Sequence, residues 1–516
     1  MSARAQHTVS SGEGPPSAAT AVRGRRERAK SMAARLDRAP ALSVASAFAA
    51  AYLAVAALRP PDHAGGVVLV GLMATLLAVS LFALAAQRFG VRVVALSPLA
   101  FVALAQTFIF GVRPAAVALW PEDGAYPLVL LGFRFADLGR TAAVGALAMA
   151  LFGVAFALVW EALARRRGRA RPPGLGEPLE RHPNEPFDDE RLRFVLLRAA
   201  AAGTVLWTIL FFRNGGFAAL FDDPSRLHLN QFGGGHYVFG YALCLAAALV
   251  ALQAVLEQRS RQRLLLFVGL GTVALAASVA LQTRGQLLAT AVAALALVLL
   301  ARRTTRRQTL ALAALAIALL AAFAWMRSVR ELSHTVSFGD AARLAVTDRP
   351  LLTATRDFVE FDHFVALSGV VPDERPYLYG RSLAEVPLAF LPRQLYPDKP
   401  LPLDFDLAQA LLGSGGRAGT PFTIVGELYW NFGWLGAFVA AAILGSGAGA
   451  GWYALVRTAS RTRQLVAALV LGYSYLLFTR PLGAMAMTAS LAVVALVLVA
   501  VLAERLPLPD RAKSAR

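Results

Sequence analysis

Long apolar blocks, separated by short polar connections, make up most of this chain. The blocks run for about 17 to 24 residues and are rich in Ala, Leu and Val, and this is the length that a helix needs to cross the hydrocarbon core of a bilayer. We therefore predict an all-α, polytopic helical membrane protein with about twelve transmembrane helices. The predicted spans lie near 41–58, 65–86, 93–112, 141–163, 194–212, 236–256, 264–281, 286–301, 309–326, 433–456, 465–479 and 484–503.

One polar stretch, residues 327–420, is far longer than the other connections and too polar to cross a bilayer. A loop of that length is usually functional or packed against the rest of the protein. We expect a large extracytoplasmic loop between spans 9 and 10, with the active surface on its side of the membrane. The predicted organisation is a disordered basic cytoplasmic tail at 1–40, spans 1–9 within 41–326, the large loop at 327–420, spans 10–12 within 421–503 and a second cytoplasmic tail at 504–516.

Composition and charge support the same class of protein. Hydrophobic residues make up 57% of the chain and charged residues only 16%, a balance that excludes a soluble enzyme. The formal net charge of +19 would suggest nucleic acid as the partner of a soluble chain. Here the basic residues concentrate in connections such as RRRGRAR at 165–171 and RTASRTR at 457–463. The positive-inside rule explains this charge and predicts that both termini are cytoplasmic, so we expect no nucleic-acid partner.

Arginines on the opposite side of the membrane are informative, because topology disfavours basic residues there. Arg284 lies in a tight turn where the next span begins, and Arg480 lies at the outer end of a later span. A guanidinium group beside a helix N-terminus suits a phosphate or diphosphate at the membrane surface. The alternative is that each arginine extends to lipid headgroups as an anchor. Arg213 and Arg113 are weaker candidates on the same argument.

The segment TRDFVEFDHF at 355–364 brings several charged side chains together in the large loop. Helical spacing places Glu360 and His363 on one face, and histidine accepts a proton near neutral pH. The cluster therefore predicts a general base, with His363 or its acidic neighbours first and His334 and His236 as alternatives. The competing interpretation is the solvated face of a loop helix. The wide spacing of the histidines predicts no metal site.

Three motifs follow one another along the chain: TRGQLL at 283–288, FLPRQLYPDKP at 390–400 and GTPFTIVGELYWNFGWLGAF at 419–438. Their order resembles the oligosaccharide repeat-unit polymerase (O-antigen polymerase) family of bacterial membrane proteins. In that family, a Pro-Arg followed by a Trp/Tyr-Pro-x-Lys-Pro element closes the large outer loop, and a Gly-Glu-x-Tyr-x-Asn-Phe-Gly element opens the next span. The resemblance implies a GT-C-like glycosyltransferase in the bacterial cytoplasmic (inner) membrane.

The activity that this resemblance implies is the polymerisation of lipid-linked repeat units. A growing glycan would pass from its undecaprenyl diphosphate carrier to a new lipid-linked unit at the outer face of the membrane, without a cofactor or a metal. The product would be a cell-surface polysaccharide such as O-antigen, capsule or exopolysaccharide. The implied partners are the lipid-linked substrate, the membrane, and a chain-length regulator and a flippase of the same pathway.

The same resemblance and the charges together nominate the site residues. Cationic side chains are needed to stabilise the departing diphosphate, and a base is needed for the acceptor hydroxyl. For the base, Glu427 and His363 remain alternatives, and Glu427 has a structural ion pair as its competing interpretation. Tyr429 and Trp430 would stack on sugars, unless they belong to an aromatic belt at the membrane surface. The predicted diphosphate ligands are Arg284, Arg393, Lys399 and Arg480.

Two other functions fit parts of the sequence. A ligase of the O-antigen type would move a finished glycan from the same carrier to a lipid or protein acceptor, and the acceptor would distinguish it from a polymerase. A flippase or other transporter of lipid-linked oligosaccharides would need polar residues lining a pathway within the spans. The predicted spans are almost purely Ala, Leu and Val, which disfavours the transporter.

Overall fold

In the computed structural model, every regular element among the described residues is a helix. The described residues are 39–121, 134–169, 187–213, 215–216, 235–280, 284–301, 358–391, 403–412, 421–457 and 460–506, with the single positions 340, 343, 347, 355, 396 and 400. The numbered helices are α1 (Ala39–Leu58), α2 (Ala64–Phe89), α3 (Pro98–Leu119), α4 (Phe135–Arg166), α5 (Asp189–Arg213), α6 (Gly235–Glu257), α7 (Arg261–Ala280), α8 (Arg284–Ala301), α9 (Glu360–Val370), α10 (Arg381–Ala384), α11 (Leu403–Leu412), α12 (Ile424–Val456), α13 (Arg461–Thr479) and α14 (Leu482–Arg505). Two short helical turns, Val91–Ala95 and Val386–Phe390, are left unnumbered.

Within this described part of the chain, eight helices are long and apolar enough to cross a membrane. They are α1 to α6, α12 and α14, and each overlaps a predicted span, so the chain is a polytopic helical membrane protein. Helices α7, α8 and α13 overlap three more predicted spans. The predicted span at 309–326 lies outside the described residues, as do the two predicted tails apart from 39–40 and 504–506.

The core forms where apolar helices pack around α6, which is buried along most of its length. Helix α6 contacts α5, α7 and α14. A second tight pair is α4 with α12, where a Cβ at Gly445 would lie 2.3 Å from the carbonyl oxygen of Phe152, and one at Gly449 would lie 2.5 Å from that of Phe156. Glycine at these two positions lets the backbones touch, as small residues do between membrane helices.

One end of the bundle, here called the charged end, carries ion pairs between neighbouring helices. Arg88 of α2 pairs with Glu161 of α4 at 2.7 Å, and Arg461 of α13 pairs with Glu257 of α6 at 2.7 Å. Arg461 also lies 3.7 Å from Glu504 of α14. The fold thus brings together helix ends that the sequence predicts to lie on one side of the membrane.

The opposite end, here called the loop end, holds part of the large polar loop against the membrane helices. Helix α9 contacts α3, α4 and α12, while α10 contacts α12 and α14. Two predicted span boundaries are corrected at this end: α3 continues to Leu119 instead of ending at 112, and α12 begins at Ile424 instead of 433. In both places, polar residues that the hydropathy pattern excludes from a span are buried against protein.

We predict that the loop end faces away from the cytoplasm. A reporter that is active only outside the cytoplasm is expected to work when fused within 340–410 and to fail when fused within 165–190, because arginine-rich connections are retained inside. The measurement is the activity of each fusion relative to its protein level. The reverse pattern would contradict the orientation.

Candidate functional site

The Gly-Glu-x-Tyr-x-Asn-Phe-Gly motif folds as a short helical segment at the start of α12, here called the half-helix (424–432). It ends where the helix breaks at Gly433, whose φ of 68° and ψ of −174° are open to glycine and costly for other residues. The half-helix is buried in protein apart from Phe432. Beyond the break, Leu435 and Val439 are exposed on the outer surface of the bundle, at 78% and 57%. The motif therefore lies inside protein, next to the lipid-facing part of the same helix.

A turn of the large loop, here called the capping turn (Leu378–Gly380), satisfies the carbonyl groups that the break leaves open. The N–H of Leu378 donates to the carbonyl oxygen of Trp430 at 3.0 Å, and the N–H of Tyr379 donates to that of Asn431 at 3.0 Å. The N–H of Gly380 donates to Oδ1 of Asn431 at 2.9 Å. Buried backbone carbonyls need such partners, so the loop completes the half-helix.

Glu427 is the buried centre of this arrangement, with a relative exposure of 1%. Its Oε1 accepts a hydrogen bond from the hydroxyl of Ser382 at 2.7 Å, and its Oε2 accepts one from the N–H of Leu482. Asn431 donates to the Ser382 hydroxyl at 2.7 Å. Leu482 begins α14, where the helix dipole favours a negative charge. Glu427 thus joins the half-helix to α10 and α14, and both of its hydrogen-bond donors are neutral. The sequence had suggested an ion pair as its structural role.

Arg480 lies two residues before Leu482, which binds the Glu427 carboxylate. It is half-buried in the segment between α13 and α14. Asp404 of α11 is close enough to interact with its charge. Burial raises the pKa of the Asp404 carboxyl above its usual range, and the positive charge of Arg480 offsets part of that rise. The charge of Arg480 therefore interacts with Asp404, and its backbone lies two residues along the chain from the N–H that binds Glu427.

The backbone of Arg284 also belongs to the loop end. It is the first residue of α8, and α8 packs against α13 so closely that a Cβ at Gly472 would lie 2.0 Å from the carbonyl oxygen of Ala289. At the charged end, Arg92 donates to the carbonyl oxygen of Leu299 near the end of α8. The first turn of α8 therefore lies at the same end of the bundle as the last turn of α13.

Tyr429 and Trp430 are both buried, with 2% relative exposure. The hydroxyl of Tyr429 donates to the carbonyl oxygen of Val371, and the indole N–H of Trp430 donates to that of Pro376 at 3.3 Å. The ring of Tyr429 packs on Trp434 with centroids 4.1 Å apart. In this conformation both rings contact protein, so stacking on a sugar requires the loop that covers them to move.

Helix α9 is inserted among the membrane helices through a buried ion pair. Arg113 of α3 is 2% exposed and Asp362 of α9 is fully buried. Nε of Arg113 donates to Oδ1 of Asp362 at 3.1 Å, and a second guanidinium nitrogen pairs with Oδ2. The interpretation of this segment as a solvated loop helix is wrong, because Glu360 and His363 are buried as well. Arg113, a weak candidate on the sequence, is the residue that anchors α9.

His363 follows Asp362 on α9 and contacts the segment that leads into the half-helix. Its Nδ1 is 2.7 Å from the carbonyl oxygen of Pro421. A carbonyl oxygen only accepts, so Nδ1 carries the hydrogen, and in the neutral ring the basic lone pair is on Nε2. The neighbouring ring of Phe364 contacts Tyr429 with centroids 6.0 Å apart. His363 and Glu427 thus flank the same segment, and both remain candidates for the base.

The other predicted site residues are only partly described. Arg393 and Lys399 lie outside the described residues, as does His334. The side chains of Arg284 and His236 lie outside the described part as well, although the structure gives their backbones. The diphosphate site that the sequence predicts therefore rests on Arg480 and on the backbone position of Arg284.

Sequence reasoning missed several residues that build the site. Asn431 stands four residues after Glu427, and this helical spacing was a usable signal. Ser382 had none, because a single serine in a long loop is unremarkable until the fold places it beside Glu427. Arg113 and Asp362 were each noticed separately, but their pairing was missed, because no local pattern joins residues so far apart in the chain.

Comparisons with known proteins identify no family for this chain. No protein-family model matches it, and neither does any of the curated proteins or solved structures. The fold and composition show a polytopic helical membrane protein with a buried polar cluster at one end.

Proposed function

We propose that this protein polymerises lipid-linked oligosaccharide repeat units at the outer face of the bacterial cytoplasmic membrane. The observation that carries the proposal is the environment of the half-helix. The sequence motif that resembles the polymerase family forms a buried polar cluster around one carboxylate, Glu427. A half-buried cation, Arg480, lies two residues before Leu482, whose N–H binds that carboxylate. A carboxylate and a cation beside lipid-facing helices suit a transfer reaction on a lipid diphosphate.

The cations stabilise the charge of the leaving group, the lipid diphosphate. The bond between the anomeric carbon of the growing glycan and the diphosphate breaks, and its electron pair leaves with the diphosphate. Arg480 and Arg284, whose backbones lie at the loop end of two packed helices, would hold that charge. The first turn of α8 adds backbone N–H groups to the same region.

The base acts on the acceptor side. The acceptor hydroxyl oxygen attacks the anomeric carbon, and its proton passes to a carboxylate or an imidazole. The hydroxyl of Ser382 already donates to Glu427 at 2.7 Å, the contact that an acceptor sugar hydroxyl would make. Glu427 would therefore act once α10, which carries Ser382, moves away and admits the acceptor. His363 would take the same role through Nε2.

The test of this site is the replacement of Arg284 by lysine. Lysine keeps the charge but loses the planar two-pronged donor, so we expect long-chain polymer to be lost while the protein still inserts at a normal level. The measurement is the length distribution of extracted polysaccharide, corrected for the amount of protein in the membrane.

Arg134 offers a matched control, because it precedes α4 at the loop end and its side chain is 82% exposed. Arg134→Lys is expected to leave the polymer unchanged. If Arg284→Ala makes polymer of near-normal length, Arg284 is not part of the proposed site and serves only as a lipid anchor.

A further inference from the structure

Two aromatic side chains are exposed at the edge of the candidate site. Tyr379 of the capping turn is 80% exposed and Phe432 at the end of the half-helix is 39% exposed. The ring of Phe432 lies over Gly380, where a Cβ would be 3.4 Å from its Cζ. The rings of Tyr379 and Tyr377 are also in contact, with centroids 6.1 Å apart and planes at 71°. The two exposed rings, here called the aromatic rim, therefore lie on either side of Gly380, next to the helix break at Gly433.

The backbone of Tyr379 is held in an unfavourable conformation. Its φ is 49°, and no other non-glycine residue in the described part of the chain has a positive φ. The left-handed region costs energy for a residue with a Cβ, and the hydrogen bond from its N–H to the carbonyl oxygen of Asn431 holds it there. A tyrosine that only anchored the protein to lipid would need no strain, because an exposed helical position presents a ring equally well.

The rim lies at the boundary between the lipid-facing surface and the polar loop. Leu435, three residues after Phe432 and beyond the helix break, begins a stripe of exposed apolar residues that continues through Val439 and Ile443. On the other side, Arg381 follows the capping turn and pairs with Glu385 at 2.7 Å, with its own side chain 69% exposed. Exposed rings with polar side chains beside them match a sugar, whose C–H groups pack on a ring face while its hydroxyls bind polar groups.

We propose that the aromatic rim binds the carrier-proximal sugars of a lipid-linked glycan. These sugars follow the diphosphate immediately and so lie at the membrane surface, the level of the rim. The inference rests on the proposed function and names the residues that hold its glycan. It also assigns sugar contact to exposed rings, whereas Tyr429 and Trp430 are covered in this conformation.

The first test is kinetic. Tyr379→Asn removes the ring but keeps a residue that accepts the left-handed conformation, so the capping turn should stay folded. In vesicles that contain the purified protein and lipid-linked repeat units, we expect the apparent KM for the repeat unit to rise about three- to tenfold, with kcat nearly unchanged. Tyr379→Phe should behave like the unaltered protein, because the face of the ring is retained.

Phe212 provides the matched control, because it is 59% exposed at the last turn of α5, which ends at the loop end. Phe212→Ala is expected to leave KM unchanged. An unchanged KM for Tyr379→Asn, or an equal rise for Phe212→Ala, would overturn the inference and leave the polymerase proposal standing. If the unaltered protein elongates nothing under these conditions, both proposals fail.

The second test separates sugar contact from lipid anchoring without using activity. Tyr379→Trp and Leu435→Trp each add an indole, and the proteins are placed in phosphatidylethanolamine and phosphatidylglycerol vesicles with brominated acyl chains, which quench a ring in contact with lipid. The fluorescence added by Leu435→Trp should be quenched and that added by Tyr379→Trp should not. Equal quenching of the two would make Tyr379 part of an aromatic belt.

Discussion

Glu427→Gln is expected to reduce the rate of long-chain polymer formation by about 10²- to 10⁴-fold, while the protein stays folded and inserted. Glutamine keeps both contacts, although one hydrogen bond reverses direction. Its carbonyl oxygen accepts from the N–H of Leu482, and its amide group donates to the hydroxyl of Ser382, which in the unaltered protein donates to the carboxylate and accepts from Asn431. What glutamine loses is the ability to take a proton as a carboxylate does. The measurement is the rate of polymer formation per amount of membrane protein.

Glu385→Gln is the matched control, because Glu385 lies on the same loop beside α10 but pairs with Arg381 near the surface. Surface pairs contribute little, so this variant should retain nearly full activity. A nearly unchanged rate for Glu427→Gln would show that Glu427 only ties the half-helix to α14, and His363 would become the candidate base. Loss of polymer together with loss of protein would show the same structural role.

Removing one partner of the Arg113–Asp362 pair is expected to destabilise the protein by about 3–5 kcal/mol. Both side chains are almost fully buried, so either single variant leaves one charge buried without its counter-ion. Arg113→Met and Asp362→Asn should therefore lower the midpoint of thermal unfolding in detergent and the amount of folded protein in membranes. The ion pair joins α3 to α9, so the same variants should also displace His363.

The double variant Arg113→Met with Asp362→Leu distinguishes the effect of an unpaired buried charge on stability from the effect of lost packing. Well-packed apolar residues often replace a buried ion pair at little cost, so most of the lost stability should return. If each single variant is as stable as the unaltered protein, the ion pair does not hold α9 in place. Arg88→Met is a suitable control, because Arg88 pairs with Glu161 at the charged end with its own side chain 57% exposed, and little loss is expected there.

The spans were predictable because the length of an apolar block is a direct consequence of bilayer thickness. Helices α1 to α6 follow from that rule, although the ends of α3 and the start of α4 lie about five to seven residues from the predicted boundaries. The start of α12 does not, because residues 424–432 include Glu427 and Asn431, which the hydropathy pattern excludes from a span. They are helical and buried because the capping turn and Ser382 satisfy their polar groups, and these partners lie about fifty residues earlier in the chain.

The site was predictable only in its centre. The resemblance drew attention to Glu427, and the topology drew attention to Arg480. The fold brings them into one region, because the N–H of Leu482, two residues after Arg480 in the chain, binds the Glu427 carboxylate. The burial of α9 was not predictable from TRDFVEFDHF, because a charged helix usually faces water. Its partner Arg113 is separated from Asp362 by 249 positions, and local periodicity carries no information on such a pair.

The most direct measurement for the polymerase proposal uses the purified full-length protein in vesicles of phosphatidylethanolamine and phosphatidylglycerol. Single lipid-linked repeat units, extracted from cells that lack the protein, are added without nucleotide sugar, and the carrier-linked products are separated by length. On the polymerase proposal, we expect a ladder that grows by one repeat unit per step, and no ladder with Glu427→Gln. Repeat units that stay single with the unaltered protein, or glycan that appears only on a different lipid or protein acceptor, would contradict it.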